Sequence, residues 1–600
     1  MKRTTSWFIV FATILATLLG SGVNVQAEKP KPVVTISFAG YNAFINNLKT
    51  IGELADYPSL SSMVEFPLQL AMSDILKEMD KNAPIGAVLM QEEVEDADIP
   101  EYNFLFFLPI TSAEPIFDFL SAQSVDLDIT QQENGVITVN AGGPDLFLKS
   151  EGKFLYLATA ESLLKDLPKD ATVLLDNLHT KYNIFAVKIH MDNLSSETKQ
   201  WAFDTILEGI ELVEDDEANS LSALTKQNNR EMLKLWKEYA DSITTLTYGM
   251  LLDKETCQLK MEGLVQTAEG SVLENIFQNA KKHPSQFSGF SKLDATITSY
   301  SSSVMNNKTR ETSTTSLNST LQIIELSILE EIKKAPNIDK GKYTALTELF
   351  VKNMKNLCAD LLAQEVLDSA AIYDLSMGNF MVLSIGTSKN PESLTKLFKD
   401  LSDTLAKEKI INESDIQTNF EKWNDFTFSK LSIPLDVLTK LESFDAEVNS
   451  EDMENLKKLF GEEITLTVGT SKDKIMIGMG ENVIPTLKKG LQEKSETTFQ
   501  SHVKLSSLSA LNFGKQLVYE FAPEDDESLP KIKYALQMIE EILESEKDEN
   551  HIQIQCFSPE SNTFKGEFIM EKGLVKLLGS IPNIVMMLQL ASEEDLEEFK

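Results

Sequence analysis

The 600 residues carry 92 acidic against 55 basic side chains, a formal charge of −37, with 42% apolar content and three arginines, Arg3, Arg230 and Arg310. A chain so acidic repels nucleic acid and anionic membrane surfaces, whose recognition takes a basic stripe that is missing here, and the scarcity of arginine removes the planar fork that grips phosphate and carboxylate. The apolar fraction excludes wholesale disorder, and three widely spaced cysteines, Cys257, Cys358 and Cys556, allow at most one internal disulfide, so no disulfide framework holds the fold.

The chain opens with Met1-Lys2-Arg3, an apolar run from Trp7 to Leu19, and small residues up to Val25-Gln26-Ala27. This is the pattern of a secretory signal peptide over 1–27, with the run too short to span a bilayer comfortably and no cysteine near the cut for lipid attachment. The expected location is secreted or periplasmic. Further along, the most apolar stretch is Leu574 to Leu590, and Lys576, Pro582 and Asn583 interrupt it, so no transmembrane segment is expected after cleavage.

An internal repeat organises the rest. Phe104 to Pro115 (FLFFLPITSAEP) and Phe380 to Pro391 (FMVLSIGTSKNP) match at an offset of 276. Each reads as an apolar strand, a Thr-Ser helix cap and a proline in the first helical turn, followed by apolar residues at helical spacing: Ile116, Phe117 and Leu120, then Leu394, Leu397 and Phe398. Phe104, Phe106 and Phe107 are too close together for one face, which predicts a strand covered on both sides.

The flanks repeat in the same order. Val34–Phe38 answers Ala295–Ser299 as an opening strand, at an offset of 261, and Asp128–Asn140 answers Asp415–Lys430. A hairpin turning at Glu151-Gly152-Lys153 answers one turning at Ser471-Lys472-Asp473, and each leads into a short helix. The strand Phe185–Ile189 matches Ser501–Leu505, and acidic loops Glu214–Glu217 and Glu524–Glu527 follow. Paired strands close each copy, Ile243–Leu252 with Gln258–Val265, then His551–Phe557 with Thr563–Met570. The second strand of each pair carries Lys-x-Glu, as Lys260/Glu262 and Lys565/Glu567.

The predicted organisation is A–B–A′–B′: module A over 28–180, B over 181–290, A′ over 291–500 and B′ over 501–600. A′ carries a Ser/Thr/Asn-rich segment, Ser299–Thr320, read as loop, and a helical insertion over about 320–367. Hairpins interleaved with helices at unequal spacing predict α+β with mostly antiparallel sheets and helices on one face. That arrangement would bury the Phe and Ile positions and leave Thr, Lys and Gln wet.

Ala83–Val88, Asn103–Pro109, Tyr182–Val187, Phe426-Thr427-Phe428, Ser432-Ile433-Pro434 and Leu459-Phe460-Gly461 together resemble a family of large secreted bacterial proteins of unknown function, numerous in planctomycetes. The resemblance implies a signal peptide and repeated α+β modules. It implies no activity and carries over no site residues.

No catalytic, cofactor or metal residue is singled out. His179, His190, His283, His502 and His551 form no HxH or HxxxH pair. Ser-x-x-Lys occurs at Ser196/Lys199, Ser393/Lys396 and Ser471/Lys474, as chance provides in a chain rich in both. No phosphate loop or Gly-x-Ser-x-Gly elbow is present, and Gly142-Gly143-Pro144 reads as a turn. Glu92–Asp98 and the two acidic loops lack the spacing of a calcium loop and read as solvated surface. Thirty-two phenylalanines and 20 methionines suit an ordinary core or a lipid-binding hollow. The expected function is therefore an exported, non-catalytic binding protein of the envelope or exterior, without cofactor. Its partner would be a protein or an apolar ligand; a lipid carrier and a hydrolase with sequence-distant carboxylates are the alternatives.

Overall fold

The computed structural model describes residues 31–600 apart from 93–100, 117–127, 141–142, 213–228, 231–232, 234–236, 238, 335–338, 436–449, 495–498, 524–527, 593–595 and 597–600. The signal segment, both Glu-Asp-Asp-Glu loops, Gly142, most of the Glu92–Asp98 cluster and the positions of Phe117 and Leu120 lie outside the described residues. The chain forms two compact units. Unit 1 runs to Thr205 and adds Ala240–Ala268 and Lys565–Met587, while unit 2 takes Ile206–Tyr239, Glu269–Phe564 and the remainder. The class is α+β with antiparallel pairing throughout the strand registers described below.

In unit 1 the elements are β1 (Lys31–Phe38), α1 (Tyr41–Leu54), α2 (Leu60–Glu78), β2 (Ile85–Glu92), β3 (Glu101–Pro109), β4 (Asp128–Gln131), β5 (Ile137–Asn140), β6 (Leu146–Glu151), β7 (Phe154–Ala158), the short α3 (Leu178–Lys181), β8 (Phe185–His190), α4 (Ser196–Leu212), β9 (Ile243–Asp253) and β10 (Gln258–Thr267). Late in the chain β20 (Thr563–Met570) and α13 (Lys572–Leu590) complete it. The strands lie in the order β4-β5-β6-β7-β3-β2-β1-β8-β9-β10, and β20 pairs with β10.

Unit 2 contains α5 (Val272–Lys282), β11 (Ile297–Val304), α6 (Asn307–Lys334), α7 (Lys340–Leu362), β12 (Val366–Asp374), β13 (Met381–Thr387), α8 (Glu392–Lys407), β14 (Ile416–Trp423), β15 (Phe426–Pro434), α9 (Ser450–Phe460), β16 (Glu463–Thr470), β17 (Lys474–Met479), α10 (Val483–Gln492), β18 (Ser501–Ser506), α11 (Ser507–Phe521), α12 (Leu529–Glu544) and β19 (His551–Glu560). Its order is β14-β15-β16-β17-β13-β12-β11-β18-β19. The core gathers around Phe287, Phe290, Leu383 and Phe428, each at most 1% exposed.

Local rules explain many of the elements. Helix α5 starts on Ser271, whose hydroxyl accepts the Glu274 N–H, and α7 starts on Asp339, which accepts from Lys342. Both predicted hairpins turn where expected, between β6 and β7 and between β16 and β17.

Three expectations are corrected. The Ser/Thr/Asn-rich segment is not loop: β11 runs to Val304 and α6 begins at Asn307. Hydroxyls that compete with a helix in isolation are absorbed here, since Thr314, Thr315, Ser319 and Thr320 each donate to the carbonyl four residues back. Arg310 also ties the helix start to the Met305, Leu362 and Gln364 carbonyls.

Second, Ser388 does not cap α8; its hydroxyl accepts from Asn390 N–H in the preceding turn, and Pro391 occupies the cap position. Pro582 lies inside α13, which runs through it for 19 residues. The hydrogen bond a proline cannot make is to the Leu578 carbonyl, and Leu578 is itself exposed. Among the described residues α13 is long and apolar enough to cross a membrane, with a mean hydropathy of 1.4.

The third correction concerns which side of the opening strand is buried. In β1, Thr35 and Ser37 are 2% and 1% exposed while Phe38 is 48% exposed, and Thr298 of β11 is 1% exposed. In β1 the hydroxyl side faces inward and the aliphatic side is half open. Phe104 and Phe106 share that half-open side, while Leu105 and Phe107 are buried, so β3 is fully covered on one face alone.

Candidate functional site

A line of small residues explains the reversal. Across unit 1 the register sets Phe107, Gly86, Ser37, Ala186, Gly249 and Glu262 side by side on six neighbouring positions from β3 to β10. Side chains directly opposite one another share a face, so four consecutive small residues leave a trough. The segment over 171–182 fills it. A Cβ on Gly86 would come within 2.3 Å of Leu175, and one on Gly249 within 2.3 Å of the Tyr182 ring. Asp176 and Asn177, both in left-handed backbone, turn the chain between those two anchors. Asn183 then clamps it, accepting from Leu252 N–H and donating to the Leu252 carbonyl, while Asn47 donates to the Asn183 carbonyl.

Tyr182 delivers its hydroxyl to the end of the trough, 3.2 Å from Glu262. Glu262, 8% exposed, also accepts from Lys181 at 2.6 Å and from Lys565 at 2.9 Å. Lys565 in turn pairs with Glu567. Burial alone would push the Glu262 carboxyl up, but the two ammonium groups outweigh it and hold the group below the ordinary range. Burial and the Glu262 charge push the Tyr182 phenol up. The two Lys-x-Glu strands recognised in the sequence thus meet here through Lys565 and Glu262; Lys260 instead pairs with Asp253, holding that carboxyl down to about 2.

The Glu262 carboxylate has no proton to give at neutral pH. A buried carboxylate with two cations is ionised, and a lysine shared by two carboxylates is protonated, so neither serves as general acid or base near neutral pH. Its chemistry is that of a clasp tying β10, β20 and the segment over 171–182 together.

The opposite face of the same strands is different. Val34, Ile36 and Phe38 of β1, Phe185, Val187 and Ile189 of β8, Leu246, Tyr248 and Met250 of β9, and Met261 and Val265 of β10 lie on it in register. None of them is buried, and Phe38, Tyr248 and Met261 are 48%, 54% and 38% exposed. Unit 2 has a corresponding face, with Ile297, Tyr373, Val503, Leu505, Ile552 and Ile554 in register, and Tyr373, Val503 and Ile554 36–44% exposed.

Unit 2 also has a cavity of about 630 Å³ beside α11 and α12. Its walls hold the ion pairs Lys458–Glu520, at 3.1 Å, and Lys515–Glu540, with Tyr519 under Lys515. Paired charges on these walls suit a polar group on a ligand.

The other sequence candidates fall in ordinary surroundings. His190 lies 3.4 Å from the Thr35 hydroxyl, and His502 contacts Gln553 at 3.1 Å between Tyr300 and Phe499; burial lowers both imidazole pKa values. Ser393 donates to the Asn390 carbonyl, Ser471 accepts the Lys474 N–H, and the Lys474 ammonium sits on Asp473. Ser196 bonds Glu197. The three cysteines are free. Among the described residues no group of three His, Cys, Asp or Glu could hold a metal ion.

Sequence reasoning noted Lys-x-Glu without a role and missed the trough. The available signal was a lone glycine inside each of two apolar strands, Gly86 and Gly249, which marks the close approach of another part of the chain.

No family model matches the chain, and no curated protein does. Two solved structures match, crystal forms IV and III of TP0453, each 10% identical over 42% of this chain and 78% and 80% of the other, with a TM-score of 0.21, from which nothing about this chain follows.

Proposed function

We propose that this is an exported, non-catalytic binding protein built from two related halves, and that its ligand is apolar, as in a lipid carrier. The observation that carries the reading is the half-open apolar sheet face of unit 1. Exposed hydrocarbon costs about 25 cal/mol per Å², and a contiguous patch of it left wet on a protein marks an interaction site. Four strands at ~4.8 Å spacing make a patch about 14 Å across, enough for the greater part of an acyl chain. Met250 and Met261 adapt to varied apolar shapes.

Kinship of the halves is supported by strand order, which is the same from β4 through β9 and from β14 through β19. Register adds to it. Phe107 faces Gly86, which faces Ser37; Leu383, 276 residues after Phe107, faces Ile372, which faces Thr298. Thr298 follows Ser37 by 261, the offset of the opening strands. Both hydroxyls are buried without a hydrogen-bond partner. The hydrolase alternative gains nothing from Glu262, because glycoside cleavage needs one carboxyl that keeps its proton and the two ammonium groups hold Glu262 ionised. Export rests on the first 27 residues, and a mature chain beginning at Glu28 is the expected mass.

The test is protein purified from its own cell and examined by native mass spectrometry, then titrated with a fluorescent fatty acid. Bound lipid, and probe binding lost in Tyr248→Asp/Met261→Asp, support the carrier. No lipid in repeated preparations and no probe binding would end it.

A further inference from the structure

We infer that unit 1 docks on a net-uncharged phospholipid surface through α2 and α13, which gives the apolar ligand of the preceding reading a place to enter and leave. Each helix carries one exposed apolar row at the same i, i+3, i+7 spacing, which aligns side chains on one side of a helix. On α2 the row is Met63, Phe66 and Leu70, at 51%, 64% and 61% exposed; on α13 it is Leu578, Ile581 and Val585, at 42%, 47% and 48%. Six large apolar side chains standing this far into water exceed what scattered surface residues require.

The two rows flank one place. Helix α13 presses Gly579 against the last turn of α1, so closely that a Cβ there would meet Ala55 at 2.7 Å and the Ile51 carbonyl at 2.8 Å. The turn into α2 packs on the same end, with the Tyr57 hydroxyl 2.9 Å from the Met63 sulfur and Leu60 over Gly52. Gly579 packs on α1, and Val575 and Ile584 are buried as well, so one side of α13 is held while Leu578, Ile581 and Val585 stay exposed. A helix held to the protein along one side lays its exposed apolar side into a bilayer interface without crossing it.

Charge selects the occupant. About a quarter of the chain is ionisable and the total is −37, yet residues 577–592 contain no charged side chain, and the α2 row from Met63 to Leu70 spans one, Glu65, which is engaged by Tyr41 and Gln69. Interruption of the acidic surface at both rows matches a surface without net charge and disfavours a basic partner, which would need acidic residues there. Composition separates lipid from protein: anchors of protein interfaces are enriched in Trp, Tyr and Arg, whereas these rows hold Met, Phe, Leu, Ile and Val alone. A second copy would bring another highly negative body to the same place.

The test is flotation of the full chain with vesicles of phosphatidylcholine, and of phosphatidylcholine with added phosphatidylglycerol. Binding to the neutral vesicles is expected, weaker on the anionic ones at low salt. Phe66→Ser/Leu70→Ser combined with Ile581→Ser/Val585→Ser should lower it at least about tenfold. All four side chains are partly in water already, so an unchanged thermal transition checks that the variant folds. The fatty-acid titration on the same variant separates the two readings, since its sheet face is intact: probe binding retained with vesicle binding lost is the expected result. The proposal is overturned if the wild-type chain fails to float with neutral vesicles, if the variant floats equally well, or if sedimentation shows a dimer that the variant dissociates while vesicles bind neither form.

Discussion

Replacing Glu262 with Gln isolates the clasp. The carboxylate receives hydrogen bonds from Lys181, Lys565 and Tyr182 at 2.6, 2.9 and 3.2 Å, and it is 8% exposed. A hydrogen bond involving a charged group contributes about 1.5–3 kcal/mol, less the cost of desolvating the ion. Lys565 keeps Glu567, and Lys181, whose side chain is 46% exposed, regains water when released. The net loss in Glu262→Gln is therefore ~2 kcal/mol rather than the 3–5 of a fully buried broken pair.

Hydrogen exchange reads it locally: amides of β10 and of the segment over 171–182 should exchange roughly 30-fold faster at neutral pH. The folded pKa of Glu262 lies below the ordinary 4.5, so its contribution is complete above that value and is lost as pH falls through the folded pKa. Wild type and variant should converge at acid pH. Unchanged exchange at neutral pH, or a difference that persists once the carboxyl is protonated, would refute the reasoning.

Gly249→Ala forces a methyl into the Tyr182 ring and should lower stability by about 1–3 kcal/mol, whereas Gly263→Ala, whose Cβ has nothing nearer than Tyr248 at 3.6 Å, should be nearly neutral by thermal denaturation. Ser37→Ala and Thr298→Val each remove a buried hydroxyl without a partner and should raise stability by roughly 1 kcal/mol in urea unfolding; a loss at either site would mean that its hydroxyl is satisfied. Arg310→Ala orphans three carbonyls and should cost roughly 2 kcal/mol, with Arg310→Lys recovering little because one ammonium cannot reach all three; exchange at the start of α6 reports it.

Much of the strand framework was legible because it is local. The hairpins at Glu151-Gly152-Lys153 and Ser471-Lys472-Asp473, the closing strand pairs and the two apolar openings were set by turn chemistry and β-branched runs. Inference from propensity failed where a distant partner decides. Ser299–Thr320 carries loop-like residues, yet back-bonded hydroxyls and the Arg310 anchor make most of it helix. Alternation along β1 separates two sides but does not say which is inward, and an apolar-inward guess was wrong.

The amino-acid sequence by itself determined the acidity, the strand and hairpin spacing and the 276-residue echo, all properties of neighbouring residues or of composition. Only the tertiary structure decided that Gly86, Ser37, Ala186 and Gly249 form one trough, since that depends on register among four strands. It likewise brought Lys565 to Glu262, 303 residues away. Burial follows from what lies across the space: Leu175 and Tyr182 require small residues beneath them, and filling that trough leaves the aliphatic side of the sheet turned toward water.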